Sequence, residues 1–218
     1  MGRLSDIIAD PYSPTSLSGR SRARRWAALA SAFPDLGEMR VVDLGGDVRA
    51  WGAAPVKPRE VVAVNLFPQE SGDPTLRTVV GDACDLPDEL RGERFDLAYS
   101  NSVIEHVGGH ARRASFAEAV HSLAERHWVQ TPYRYFPVEP HWVFPGFQFL
   151  PLRWRARLTC AWPIGAYEDV DDFDEAVDYA LRIELLSVTA MRHYFPRSEI
   201  RVERALALPK SLVATTAR

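Results

Sequence analysis

Apolar positions along this chain follow two periods. Trp26, Leu29, Ala30 and Phe33 fall at i, i+3, i+4 and i+7, one face of a helix that Pro34 ends. From residue 41 the pattern tightens into short runs. Val41, Val42 and Leu44 form the first, Val61 to Val64 the second, ending at Asn65, and Thr78 to Val80 the third, ending at Gly81-Asp82. Phe95 to Tyr99 is a fourth, and His127 to Gln130 a fifth, ending at Thr131-Pro132. Between the last two, Phe116, Val120 and Leu123 return to helical spacing. Short apolar runs alternating with helices predict a doubly wound α/β fold with a mostly parallel sheet covered on both faces. Towards the C-terminus, Ile200 to Leu208 and Ser211 to Thr216 read as two strands joined by a Pro209-Lys210 turn, an antiparallel hairpin. An acidic helix beginning near Asp171 and a short one over Thr189 to Tyr194, stopped by Pro196, precede it.

Length and composition narrow this picture. A chain of 218 residues can bury one substantial core, so a single domain over 1–218 is expected, with an N-terminal arm and helix over 1–37 and an insertion over 131–163. Residues 1–15, polar and proline-punctuated, read as a loose arm. A net charge of -3 gives no general case for nucleic-acid binding. Positive charge is almost all arginine, with Lys57 and Lys210 the only lysines, a bias that more often reflects genome composition than a need to hold planar anions. Cys84 and Cys160 lack paired spacing, which excludes a disulfide framework and a cysteine zinc site. No signal-peptide pattern or membrane-length apolar run is present, and Asp6 stands where a myristoylation motif needs Ser or Thr, so a cytoplasmic location is expected. Oligomeric state is not readable from these features.

The candidate chemistry begins at Val41-Val42-Asp43-Leu44-Gly45-Gly46. A carboxylate inside a buried strand that runs into glycines marks a place where main-chain amides are free and a nucleotide-like cofactor can approach; the competing reading is a tight turn that Asp43 caps. Arg20, Arg22, Arg24 and Arg25 crowd the start of the first helix, either as a solvated face or as an anion-binding rim.

Taken in order, the strand ends Asp43-Leu44-Gly45-Gly46, Asn65, Gly81-Asp82-Ala83 and Tyr99-Ser100-Asn101 resemble those of the class I S-adenosylmethionine-dependent methyltransferases, over roughly residues 38–131. The resemblance implies a Rossmann-like seven-stranded sheet with a C-terminal antiparallel hairpin, and S-adenosyl-L-methionine as cofactor. By position, Asp43 would face the cofactor amine, and Gly45 and Gly46 would let the methionine moiety lie against backbone. Asn65 would meet the ribose, Asp82 the adenine amino group and the Ala83 amide the ring, with Ser100 and Asn101 bordering the methionine portion. Two positions depart from the family pattern. Asp47 and Arg49 stand where further glycines are usual, and Asn65 where an acid is usual.

Thr131 to Pro163, the aromatic-rich insertion after strand five, holds nine aromatics and six prolines, too proline-rich for a continuous helix and too aromatic for a solvated linker. It reads as a lid that contacts substrate, or as a cover that completes the core; membrane docking ranks below both. The run Gln130 to Pro137 followed by Glu139-Pro140-His141 resembles a group of bacterial, chiefly actinobacterial, type 11-like methyltransferases, and is similar to mycobacterial 1-O-methyltransferases of methylmannose polysaccharide synthesis. That similarity implies a small-molecule acceptor, a saccharide hydroxyl. Residues Asn101 to Val107 resemble the acid-histidine tail of small-molecule members, where Glu105 and His106 either serve catalysis or fasten the loop. A hydroxyl acceptor needs its proton removed, which suits histidine. His141 is the expected general base, His106 the second choice, with Glu139 or Glu105 orienting the ring and Tyr133 converging on it. A divalent metal held by Glu105, His106, His110, Glu139 and His141 is the rival, not favoured because Gly108-Gly109 breaks a helix between His106 and His110. A strand followed by a glycine turn would also suit a nicotinamide-dependent oxidoreductase, and the same fold could serve as a non-catalytic binding module.

Overall fold

The computed structural model describes residues 17–162, 170–205 and 207–217. The helix expected around Trp26 is α1, Leu17–Ala32, with Trp26, Leu29 and Phe33 buried beneath or just beyond it. The expected arm over 1–15 lies outside the described residues. The apolar runs become β1 (Arg40–Leu44), β2 (Glu60–Asn65), β3 (Leu76–Val80), β4 (Leu97–Asn101) and β5 (His127–Pro132). Helix α2 (Val48–Gly52) follows β1, and α3 (His110–Leu123) precedes β5. Pairing among the first four strands is parallel, with Val42 beside both Val62 and Ala98, and Asn65 beside Val80. Every residue of β1 after Arg40 is buried, as a strand covered on both faces requires.

Two further strands, β8 (Glu199–Ala205) and β9 (Leu208–Thr215), complete a seven-stranded sheet in the order β3-β2-β1-β4-β5-β9-β8, mostly parallel with an antiparallel close. Strand order reverses between β1 and β4, the switch point beyond whose carboxyl ends ligands bind in open α/β sheets. The hairpin turn falls earlier than Pro209-Lys210. Both residues lie in β9, and Ala207 takes the left-handed turn conformation at φ 68°. Proline is tolerated close to the start of a strand, so Pro209 was no marker of the turn.

The insertion is not free of helix. Its prolines stop at Pro151 and resume only at Pro163, and between them α4 (Leu152–Ala161) forms with Pro151 at its N-cap. Before α4 lies a small antiparallel hairpin, β6 (Val138–Glu139) and β7 (Phe144–Pro145). Helix α5 (Phe173–Arg182) starts where Asp172 accepts from the Glu175 amide, and α6 (Val188–Tyr194) where Ser187 accepts from Ala190. Each such cap contributes about 1 kcal/mol.

The chain divides into two compact units, residues 1–101, 115–129 and 215–218 in the first, and 102–114 and 130–214 in the second. The first is held by the buried faces of β1, β2 and β4 and by an aromatic cluster. Trp26 stacks on Tyr99 at 5.8 Å and meets Trp51 edge-on at 4.9 Å, contacts each worth about 0.5–1.5 kcal/mol beyond area burial. In the second, Trp142 stacks on Phe147 at 4.0 Å and donates its indole N–H to Thr159. Ala156 of α4 and Ala176 of α5 pack with Val170, Val177 and Tyr179. Residues of the insertion therefore pack into a core, one of the two readings its aromatic content allowed.

Candidate active site

The first unit carries the glycine loop. Gly45 takes φ 83°, a conformation that suits glycine, at the turn out of β1. Its amide is not free as expected: Gly45 and Gly46 both donate to the Val64 carbonyl, at 2.8 and 3.2 Å. The Gly46 carbonyl accepts in turn from Asn65 Nδ2 at 2.9 Å and Gln69 Nε2 at 2.7 Å, while Gln69 Oε1 accepts from the Val48 amide. The end of β2 thus clamps the loop by side chains, and Asp47, in place of a glycine, caps α2 by accepting from the Arg49 amide. Close approach is demanded at Gly46, where a Cβ would meet the Asp43 carboxylate at 2.5 Å. Gly46→Ala is expected to cost about 1–3 kcal/mol by overpacking; a thermal melt measures it, and an unchanged midpoint would show that the loop yields.

Asp43 is 3% exposed and accepts from the Trp51 indole N–H at 2.7 Å. Burial pushes its carboxyl up to about 7; the Trp51 hydrogen bond opposes this, and the Asp47 charge adds to it. Together with Gly45, Gly46, Tyr99 and Asn101, Asp43 lines a cavity of about 110 Å³ at the β1/β4 switch point, walled also by Arg22 and Arg25 of α1. Arg25 donates to Asn101 Oδ1 at 2.7 Å. Of the four arginines that read as a solvated face or an anion-binding rim, Arg22 and Arg25 line the cavity, while Arg20 and Arg24 are exposed. Ser100 does not line the cavity. It is fully buried and gives its hydroxyl to the Leu44 carbonyl, bracing β1 instead of bordering a ligand. Asn65 uses its amide nitrogen on the loop and its oxygen on the Phe67 amide at 3.2 Å, leaving one carbonyl lone pair for a ribose. Asp82 accepts from the Cys84 amide in the turn after β3, where Ala83 is buried. Leu66 and Phe67, 62% and 72% exposed just past β2, form an apolar surface that periodicity did not mark.

The second unit carries the histidines. The β6–β7 hairpin presents His141 at its tip, and Glu139 locks the tip by accepting from the His141 amide at 2.7 Å and the Trp142 amide at 2.9 Å with one oxygen. Val143 takes φ 51°, an outlier for a β-branched residue that costs on the order of 1–3 kcal/mol and is held by this lock. Glu139's other oxygen meets His141 Nδ1 at 2.7 Å, and His141 Nε2 faces His106 Nε2 at 3.1 Å. Glu105, fully buried, accepts from the Thr131 hydroxyl at 2.8 Å and lies 4.0 Å from His106 Nε2. Burial pulls the His141 pKa down, but the Glu139 hydrogen bond and the charges of Glu139 and Glu105 outweigh it, so the net shift is upward. His106 goes the other way, to about 4, by burial and then by the His141 charge.

Four of the five expected catalytic residues are thus brought together. Tyr133 instead turns its ring edge-on to Tyr135 at 5.5 Å. His110 leaves the group as well, its Nδ1 meeting the Tyr194 hydroxyl at 3.1 Å. Glu105, His106 and His141 offer ligand atoms within 4.8 Å of one another, with Glu139 behind His141 and Thr131 behind Glu105. That donor set would suit a divalent ion as well as a proton relay.

Residues 45–127 match the methyltransferase-domain family. The match spans 83 of the 218 residues, less than half of the chain. The seven-stranded sheet is the class I S-adenosylmethionine-dependent methyltransferase fold. Solved structures agree on the fold. An S-adenosylmethionine-dependent methyltransferase from Mesorhizobium loti is 18% identical, with a TM-score of 0.52 over 88% of this chain and 96% of that one. A proposed S-adenosylmethionine-dependent methyltransferase from Listeria monocytogenes is 12% identical, with a TM-score of 0.54 over 88% and 97%. The magnesium protoporphyrin IX methyltransferase of Synechocystis, solved with bound S-adenosylhomocysteine, is 12% identical, with a TM-score of 0.53 over 90% and 82%. No curated protein matches the sequence. Among the described residues no helix is long and apolar enough to cross a membrane.

Proposed function

We propose that the protein is a cytoplasmic S-adenosylmethionine-dependent O-methyltransferase acting on a small molecule, a saccharide as first choice, and working as one domain over 1–218 with 131–163 as its substrate cover. The observation that carries the chemistry is the chain Glu139, His141, His106, joined by contacts of 2.7 and 3.1 Å. The residues of the first unit fit the cofactor. Asp43 offers a carboxylate for an ammonium group, Arg22 and Arg25 offer cations for a carboxylate, and Leu66 and Phe67 offer an apolar wall for a purine. When bound, the cofactor supplies an electrophilic methyl group on a sulfonium. The protein holds the acceptor hydroxyl for in-line attack, and His141 Nε2 takes its proton while Glu139 fixes the tautomer and orientation of the ring. The saccharide reading is supported by the Gln130-to-His141 resemblance and by the exposed aromatic pair Tyr135 and Phe149, stacked at 6.0 Å, a platform that suits the C–H face of a pyranose.

A methyl-donor turnover screen over saccharides, phenolics, carboxylates and amines, with and without chelator, tests this. Transfer to hydroxyls, undiminished by chelator, is the expected outcome. Transfer to amines alone would sink the O-methylation reading. Loss of turnover in chelator would move Glu105, His106 and His141 from a proton relay to a metal centre that acidifies the hydroxyl. Calorimetry that detected NAD but not S-adenosylhomocysteine would defeat the reading altogether. Binding of S-adenosylhomocysteine with no acceptor methylated across the panel would favour a non-catalytic module of the same fold.

A further inference from the structure

A second cavity, of about 220 Å³, lies wholly within the second unit, between the insertion and α5. Arg134, Arg155, Glu139 and Glu184 all line it, with Trp142 and Gln148. Four charged groups would be unremarkable if they were hydrogen-bonded to one another, but the two carboxylates have their bonded partners elsewhere. Glu139 is committed to His141 Nδ1 and to two backbone amides. Glu184 is committed to Arg113, at 2.8 Å. The two cationic groups have no such commitment among the described residues. Arg155 donates one N–H to the Ala180 carbonyl at 3.0 Å, a neutral acceptor, and its buried Nε has no partner among the described residues. Arg134 makes no side-chain ion pair among the described residues. Burial, and then the charge of Arg134, draws the Arg155 pKa down, against the pull of Glu139 and Glu184.

Gln148 adds an acceptor. Its Nε2 donates to the carbonyls of Arg134 and Phe136 at 3.0 and 2.8 Å, which fixes the amide orientation, and its buried Oε1 has no partner among the described residues. Among the described residues, two guanidinium groups without a hydrogen-bonded counter-ion therefore share one pocket with a carbonyl oxygen that has no partner and with an indole wall. Paired guanidinium forks match the planar oxygens of a carboxylate or the faces of a phosphate.

We propose that this cavity is a binding site for a ligand bearing a carboxylate or phosphate beside a hydroxyl, with Arg134 and Arg155 holding the anion and Gln148 Oε1 accepting from the hydroxyl. The site goes beyond methyl transfer, and only its assignment to the acceptor rests on the proposed saccharide methylation. Glu139 joins the cavity to His141, so an anion seated here adds negative charge near the imidazole. The anion belongs either to the methyl acceptor itself, as an acidic or phosphorylated sugar, or to a separate effector.

Calorimetry on the full chain with inorganic phosphate, a hexuronate and the corresponding neutral hexose tests the site. The hexuronate should bind at least about tenfold more tightly than the hexose, and Arg134→Gln should abolish about that factor. Arg155→Gln should do the same; if it does not fold, Arg134→Gln and Gln148→Leu carry the test. Equal affinity for the neutral hexose, or full anion affinity in Arg134→Gln, overturns the proposal. Given a methyl donor, methylation of the bound hexuronate identifies the anion as the acceptor's, and tight binding without methylation identifies an effector.

Discussion

Asp43→Asn should raise the melting temperature of the ligand-free protein at pH 8 and leave it unchanged near pH 4. Asp43 is buried with its pKa lifted to about 7 from 3.8. Across that window the folded chain holds a proton that the unfolded chain has released, so stability falls as pH rises. Three pKa units correspond to about 4 kcal/mol, lost progressively between pH 4 and 7 and absent above 7. Asparagine removes the buried charge and keeps an acceptor for the Trp51 indole N–H at 2.7 Å. The cost of the carboxylate makes sense if a ligand uses it. An ammonium group seated in the cavity would stabilise the ionised form, so binding must expel the proton, and affinity for S-adenosylhomocysteine should climb by up to about tenfold per pH unit below 7 and level off above it. In Asp43→Asn the climb should vanish and affinity at pH 8 should drop by about 1.5–3 kcal/mol, the worth of a charge-assisted hydrogen bond. Thermal melts and calorimetry at several pH values measure both. A variant less stable than the parent at pH 8 would show that the fold already compensates the charge.

His141→Ala should lower turnover by about 10²- to 10⁴-fold, the usual contribution of a general base, with S-adenosylhomocysteine affinity unchanged. The pH profile identifies which histidine acts. Glu139 and Glu105 hold the proton on His141, so activity should rise with pH through a limb above the ordinary histidine value of 6.5. If His106 were the base, the limb would lie near 4. Glu139→Gln keeps an oxygen for the His141 and Trp142 amides but removes the charge, so the limb should move towards lower pH. A limb unmoved by Glu139→Gln would remove His141 from the role of base.

The strands were readable because burial on both faces leaves a local trace. Val41, Val42, Leu44 and Val61 to Val64 are all buried, and each run ends where its strand does, at Leu44 and Asn65. The hairpin was readable but its turn was not, since apolar residues continue through Leu206 to Pro209 without marking the reversal. Among the candidate site residues, Asp43, Gly45, Gly46 and Asn101, chosen by their place at strand ends, line the cavity. Ser100 stands in the same stretch and faces inward, because alternate residues of a strand point to opposite sides. Trp51 and Gln69 gave no signal. One lies in a five-residue helix and the other in a loop, and only folding carries them to Asp43 and Gly46.

The sequence by itself determined the order of the seven sheet strands along the chain, the glycine turn out of β1 and the aromatic density after β5, since each depends on neighbours a few residues apart. Tertiary structure decided which polar groups meet. His106 and His141 are 35 residues apart and their nitrogens lie 3.1 Å apart, while His110, four residues from His106, turns to Tyr194 instead. Periodicity records which face of an element is buried; the partner across a loop or hairpin is set by packing, which no local pattern records.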